Sequence, residues 1–290
     1  MPRIRSGAWQ VTYAALARKW RAWRSEHGLG IVPQLEYASP VPAPPSASEL
    51  GVLYRDDALL VVNKPSGLVV HRGWATDRVT ALSLARSIAG QWVYPVHRLD
   101  RSTSGALVFA LSADIARRVE ELFVADLITK RYVALVRGMA PEHIGIDHPI
   151  AKAKDKPKLP AFTRVARLAS YSVVDDVSGQ ARSYSWLEAY PLTGRQHQIR
   201  RHLKHISHPI IGDVRYGKAE HNHLFRRRFG LERMALHAAT ISLPHPTLAT
   251  PLTVHAPLPS ELTRLLAALE PPSARSFTAG SGEFSNGEPE

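Results

Sequence analysis

A chain of 290 residues with 44% apolar content has material for one large or two modest folded domains, and its net charge of +12 with a pI near 10.2 points to a polyanionic partner. It contains no cysteine, which excludes disulfides, thiolate nucleophiles and cysteine-ligated metals. No apolar run approaches bilayer length and the first residues lack a signal peptide's apolar centre, so a cytoplasmic address and no membrane partner are expected.

Residues 1–48 read as a basic extension: a helix over 13–23 carrying Trp20 and Trp23 among arginines, then a linker over 39–48 of Pro, Ala and Ser. Interleaved aromatic and basic side chains suit RNA by stacking and charge, and equally describe an arm with no function. A folded domain is expected over 49–269. It opens with strands at 52–54 and 59–62, joined by the Arg55-Asp56-Asp57 turn. Asn63-Lys64-Pro65-Ser66-Gly67 follows as a sharp turn, with Lys64 expected at its rim.

Residues 92–96 read as an incoming strand and 106–111 as an outgoing one, and between them lie His97, Arg98, Asp100, Arg101, Ser102, Thr103, Ser104 and Gly105. A loop held by buried strands is where a scaffold presents reactive groups, and a carboxylate between two arginines is expected to be ionised. Asp100 is therefore a candidate nucleophile or base; an Asp capping its own turn is the alternative.

An amphipathic helix is expected over 113–127 and a strand over 129–137 beginning Lys130-Arg131-Tyr132. Residues 138–185 say least, with a Lys- and Pro-rich loop at 151–160 and a strand pair over 165–177. A strand over 185–190 leads into GRQHQIRRHLKHIS, where a helical wheel puts Arg195, Ile199, Leu203 and Ile206 on one face. An arginine on a core stripe needs a carboxylate, and Asp100 is the candidate partner. Arg200, Arg201 and Lys204 then face solvent or RNA. From 193 to 233 ten Lys or Arg stand against three Asp or Glu, a net +7 that includes Arg226, Arg227 and Arg228, and phosphate contacts are expected there. His197, His202, His205 and His208 lack the spacing and carboxylates of a metal site, and His202 reads as a hydrogen-bonded core residue. A last strand over 252–256, a closing helix over 261–269 and a disordered tail over 270–290 complete the chain.

His97-Arg98-Leu99-Asp100-Arg101 with Thr103-Ser104-Gly105 resembles the central motif of the pseudouridine synthases of the ribosomal large subunit synthase A family. NKPSG, KRY, GRQHQIR and Leu236-His237-Ala238 accompany it in family order over about 50–260. The resemblance implies an α+β pseudouridine synthase fold, with a mixed, largely antiparallel central sheet flanked by helices around an active-site cleft. It implies Asp100 as catalytic carboxylate, an ion pair from the motif's arginine (read as Arg195), and Tyr132 packed against the target base. Arg98 would assist the rearrangement of the RNA, Leu236 would pack near the base pocket, and Lys64 would lie close to the site. No cofactor is implied, because the isomerisation transfers no electrons or external group.

His71-Arg72-Gly73-Trp74 and the insertion before LHA resemble the tRNA-modifying branch of the family, implying an enzyme acting on uridine 65 of the tRNA T stem; a monomer is expected. Ribosomal RNA as substrate, or a non-catalytic RNA-binding protein, are the alternatives.

Overall fold

The computed structural model describes residues 50–72, 79–153, 155–248 and 250–269. The expected N-terminal helix and linker, the Gly73-Trp74 part of HRGW and the C-terminal tail lie outside the described residues. Among those described, no helix is long and apolar enough to cross a membrane.

The architecture is α+β. The strands are β1 (Gly51–Arg55), β2 (Leu59–Lys64), β3 (Tyr94–Pro95), β4 (Ser104–Ala110), β5 (Thr129–Arg137), β6 (His143–Asp147), β7 (Ile150–Ala151), β8 (Lys158–Leu159), β9 (Phe162–Val174), β10 (Ala181–Pro191), β11 (Leu236–Pro244) and β12 (Pro251–His255). The helices are α1 (Ala81–Ala89), α2 (Ala113–Val124), α3 (Gln198–His205), α4 (Ala219–Phe229) and α5 (Ser260–Ala268). Ten strands form one sheet in the order β1-β2-β4-β11-β5-β10-β9-β6, with β3 beside β4 and β12 beside β11. All its pairings are antiparallel except β4 with β11.

Alternation along the strands assigns the faces. In β2 and β4, Leu59, Val61, Ala106 and Val108 join one apolar cluster with Ile115 and Val119 of α2, whereas Leu60, Val62, Leu107 and Phe109 join another with Ala81 and Ala85 of α1. Every residue of β4 is buried, as a strand covered on both faces requires. A third cluster on β5, β10 and β11 takes Ile199 and Leu203 of α3, Leu224 and Phe225 of α4, and Leu262 and Leu265 of α5.

Three expectations are corrected. The strand at 92–96 shrinks to Tyr94–Pro95, since Pro95 has no N–H to continue a ladder. The pair expected over 165–177 is one long strand, β9, whose hairpin partner β10 begins at Ala181. The helix read from Arg195 begins only at Gln198, because His197 takes a left-handed φ of 55°. The helices α1 and α4 were not anticipated; Thr80 and Ser83 form a capping box at the start of α1, a local signal that could have located it.

Candidate active site

The loop carrying Asp100 closes in a turn in which the Asp100 carbonyl accepts from the Thr103 amide at 3.0 Å. Its shape is set by the NKPSG turn beside it. Lys64 Nζ donates to the carbonyls of Arg101 (3.2 Å), Leu68 (2.7 Å) and Pro65 (2.8 Å), the Ser66 hydroxyl donates to the Ser102 carbonyl at 2.9 Å, and the Gly67 amide donates to that of Arg101 at 2.8 Å. Lys64 is thus not at the rim of its turn but fully buried beneath it, where three carbonyls replace water. Burial pushes its amine down to about 7, Arg233 adds to that, and Asp100 opposes it.

Beyond the loop, β4 lies parallel to β11 at the site's edge, with Gly105 opposite Ala238. A Cβ on Gly105 would sit 2.2 Å from the Ala238 carbonyl oxygen, and its φ is +116°, so only glycine permits this approach. Ala238 pairs on its other side with Tyr132, which sets the backbone of that residue two strand spacings, about 10 Å, from Gly105 at the end of the Asp100 loop. Burial first, and the charge of Asp100 second, push the Tyr132 phenol above its usual range. Leu236 is buried in the cluster against which Tyr132 packs.

Asp100 faces α3. Arg200 Nη1 donates to its Oδ2 at 3.0 Å, and the other side of the same guanidinium forms a fork onto Asp213, Nε to Oδ2 at 2.7 Å and Nη2 to Oδ1 at 2.9 Å. One buried arginine therefore bridges two carboxylates. Burial opposes the Arg200 charge, but the hydrogen bonds and charges of Asp213 and Asp100 outweigh it and raise its pKa; burial likewise opposes the Asp213 charge, and Arg200 with the amides of Tyr216 and Arg215 lowers it. His197 Nε2 stands 3.8 Å from Asp100 Oδ1, and its Nδ1 shares a 3.0 Å hydrogen bond with the Tyr216 hydroxyl.

This corrects the assignment of the ion pair. Arg195 is exposed, in the turn before α3, and its Nε donates to the Pro160 carbonyl at 3.2 Å. Arg200, expected to face solvent or RNA, points inward. The left-handed His197 puts Arg195 outside the helix's phase, and Arg200 is buried because α3 is covered over a broad face that takes in Gln198, Ile199, Arg200, His202 and Leu203. Arg195→Lys is accordingly expected to turn over within about twofold of wild type; a tenfold loss, about 1.4 kcal/mol, would restore Arg195 as the partner.

The remaining expected residues divide. Arg98 is exposed on the loop beside Asp100, and Lys204 is exposed on α3. Arg201 is half-buried and donates to the Ala151 carbonyl at 2.8 Å. The triplet on α4 is already engaged: Arg226 with Glu232 at 2.8 Å, Arg227 with Asp176 at 2.6 Å, and Arg228 with the Val174 carbonyl. The contacts of Arg227 and Arg228 bind α4 to the β9–β10 turn, at the end of β10 away from Ala189 and its partner Tyr132, while Arg226 pairs with the segment that follows α4. Net charge thus overstated what the triplet offers to phosphate. His202 is buried and hydrogen-bonded to Thr163 and to the His148 carbonyl.

Asp213, Tyr216, His197 and Arg233 were missed. Arg233 Nη2 donates to the Ser104 hydroxyl (2.6 Å) and the Leu236 carbonyl (3.1 Å), linking β4 to β11. Two neutral histidines brace β4 as well, His237 from β11 and His97 from the loop that precedes β4. His97 Nε2 accepts from the Val108 amide at 2.9 Å, and His237 Nδ1 shares a 2.8 Å hydrogen bond with Ser104. Burial pushes His97 down to about 3 and His237 down to about 4. Both therefore take up a proton more readily when the chain is unfolded. Their contribution to stability is complete above the ordinary histidine value near 6.5 and is lost as pH falls from there toward about 4 for His237 and about 3 for His97. Urea midpoints are expected to drop between pH 7 and pH 4.5, with a shallower drop in His237→Gln; equal slopes in the two proteins would contradict this.

Comparison with known proteins follows the same outline. The sequence profile described as RNA pseudouridylate synthase matches residues 58–205. The tRNA pseudouridine synthase C of Haemophilus ducreyi is 40% identical over 220 residues, covering 72% of this chain and 90% of its own. That of Vibrio cholerae is 39% identical over 222 residues, covering 72% and 91%. Among solved structures, human RNA pseudouridylate synthase domain containing 4 superposes with a TM-score of 0.58 at 27% identity, over 76% of this chain and 94% of that one.

Proposed function

The chain belongs to the RNA pseudouridylate synthase family, and from that premise we propose that it converts uridine 65 in the T stem of tRNA to pseudouridine, with Asp100 as the catalytic carboxylate. The single observation that carries the site assignment is the Asp100–Arg200–Asp213 bridge, which pins one carboxylate of a strand-held loop close enough to Tyr132 for its charge to raise that phenol's pKa. The tRNA assignment rests on the relatives, whose names specify tRNA.

In the isomerisation the N1–C1′ glycosidic bond breaks, a C5–C1′ bond forms, C5 loses its proton and N1 ends with one. Nothing is oxidised or reduced. A carboxylate serves this chemistry by attacking C1′ as nucleophile or by taking the C2′ proton as base. In both roles the Arg200 guanidinium fixes the oxygen's direction. Tyr132, kept a phenol by its raised pKa, offers an aromatic face to the uracil and a proton donor beside it. Phosphate contacts fall to the exposed cations near the cleft, Arg98, Lys204 and Arg215, in place of Arg226, Arg227 and Arg228.

The test is tritium release from 5-tritiated uridine in bulk tRNA and bulk rRNA, followed by mapping of the modified position. Release from tRNA with pseudouridine at position 65 is expected. Release from rRNA alone would move the substrate and keep the chemistry; release from neither would support a non-catalytic RNA-binding role.

A further inference from the structure

We infer that Val214 is the wedge that holds open the RNA stack beside the extruded uridine, with Arg215 and Lys204 gripping the backbone next to it. This rests on the proposed reading of the chain as acting on a base-paired uridine in tRNA. A paired target has to be both unpaired and unstacked to reach a carboxylate, and proteins that open a helix commonly insert an apolar side chain into the gap.

Val214 is 90% exposed, the most exposed of the large apolar residues described. Single exposed apolar residues are ordinary, but the position of this one is not. It follows Asp213, which shares Arg200 with Asp100. It lies in a single helical turn that has little freedom: the Asp213 carboxylate accepts from the amides of Arg215 (2.9 Å) and Tyr216 (3.0 Å), and the Gly217 amide closes onto the Asp213 carbonyl at 2.9 Å. Gly212, with φ +80°, lets the approach to this turn pass so close to the Arg233 carbonyl that a Cβ would be 2.2 Å from its oxygen. Asn222 of α4 braces it from behind, accepting from the Gly212 amide and donating to the Asp213 carbonyl. A β-branched residue has low preference for a helical turn and gains nothing from water, so the turn spends rigidity on presenting it.

The surroundings identify what Val214 meets. Tyr216 carries three cations near one ring, Arg200 at 5.1 Å, Arg215 at 5.6 Å and Lys204 at 5.9 Å from its centroid. Arg200 is occupied by its two carboxylates, whereas Arg215 and Lys204 are exposed and have no ion-pair partner among the described residues. An apolar tip flanked by two uncommitted cations suits a polyanion with a hydrophobic interior, which is the stacked stem of an RNA and not the surface of a protein.

The experiment compares wild type with Val214→Ala on two tRNA transcripts, one with the target uridine paired and one with it mispaired, where opening is easier. Val214→Ala is expected to lower kcat/KM about tenfold on the paired transcript, the equivalent of ~1.4 kcal/mol, and less than threefold on the mispaired one. An equal loss on both, or no loss on the paired transcript, overturns the wedge. Independently of turnover, 2-aminopurine beside the target in the Asp100→Asn background should brighten on binding, and adding Val214→Ala should remove most of that rise at saturating protein. A full rise with Val214→Ala would also overturn it. Wild-type turnover of the paired tRNA reports separately on the parent reading; without it the tRNA assignment falls, whatever Val214 does.

Discussion

Asp100→Asn is expected to produce no pseudouridine above trace while binding tRNA and unfolding almost as wild type does. The amide has the carboxylate's shape but can neither attack C1′ nor accept a proton from the sugar. The structure explains why the loss should be confined to chemistry. The loop is held through the backbone carbonyls of Asp100, Arg101 and Ser102, by Thr103, Lys64, Ser66 and Gly67, and none of these contacts uses the Asp100 side chain. Nor does the substitution strand a buried charge, because Arg200 keeps both hydrogen bonds to Asp213. Three measurements check it: tritium release, tRNA affinity and the thermal midpoint. Product beyond trace would remove Asp100 from the chemistry, and a collapsed midpoint would recast it as structural.

The second large effect is expected at Arg200. Arg200→Lys keeps a positive charge but replaces a planar fork with one ammonium, which cannot reach Asp213 at 2.7 and 2.9 Å and Asp100 at 3.0 Å together. Turnover at saturating tRNA should fall about a hundredfold, or ~2.7 kcal/mol of transition-state stabilisation. Asp213, whose side chain is fully buried, loses a donor at the same time, so the urea midpoint should fall by an amount equivalent to about 1–3 kcal/mol. Arg195→Lys serves as the control, since it changes the same residue type in the same motif without touching either carboxylate. Wild-type turnover in Arg200→Lys would show that the bridge does not position Asp100. A rise in KM alone, with kcat unchanged, would assign Arg200 to binding.

Local chemistry made several elements legible from the chain. The strand expected over 129–137 is β5 to the residue, because β-branched and apolar residues recur between turn signals. The helix expected over 113–127 is α2, stopping at Val124, with Ser112 as its cap. The polar loop around Asp100, caught between two apolar runs, was visible for the same reason. The five motifs read along the chain also converge in space: NKPSG fixes the loop of HRLD, LHA lies beside it on β11, KRY supplies Tyr132 across β11, and GRQHQIR supplies the arginine.

What the chain by itself determined about this protein is which residue types stand in which short elements, together with the family those motifs signal. Only the tertiary structure decided which partner each charge takes. Arg200 meets Asp213 thirteen positions away and Asp100 one hundred positions away, and Lys64 turns under its own loop to meet the Arg101 carbonyl thirty-seven positions on. No periodicity encodes such separations. A helical wheel depends on unbroken phase, which the left-handed His197 interrupts, and a count of basic residues ignores the acidic turn that has already claimed Arg227. Charges are paired by distance in space, and distance in space is set by the sheet's strand order and register, in which β4 and β11, far apart along the chain, lie side by side at Gly105 and Ala238.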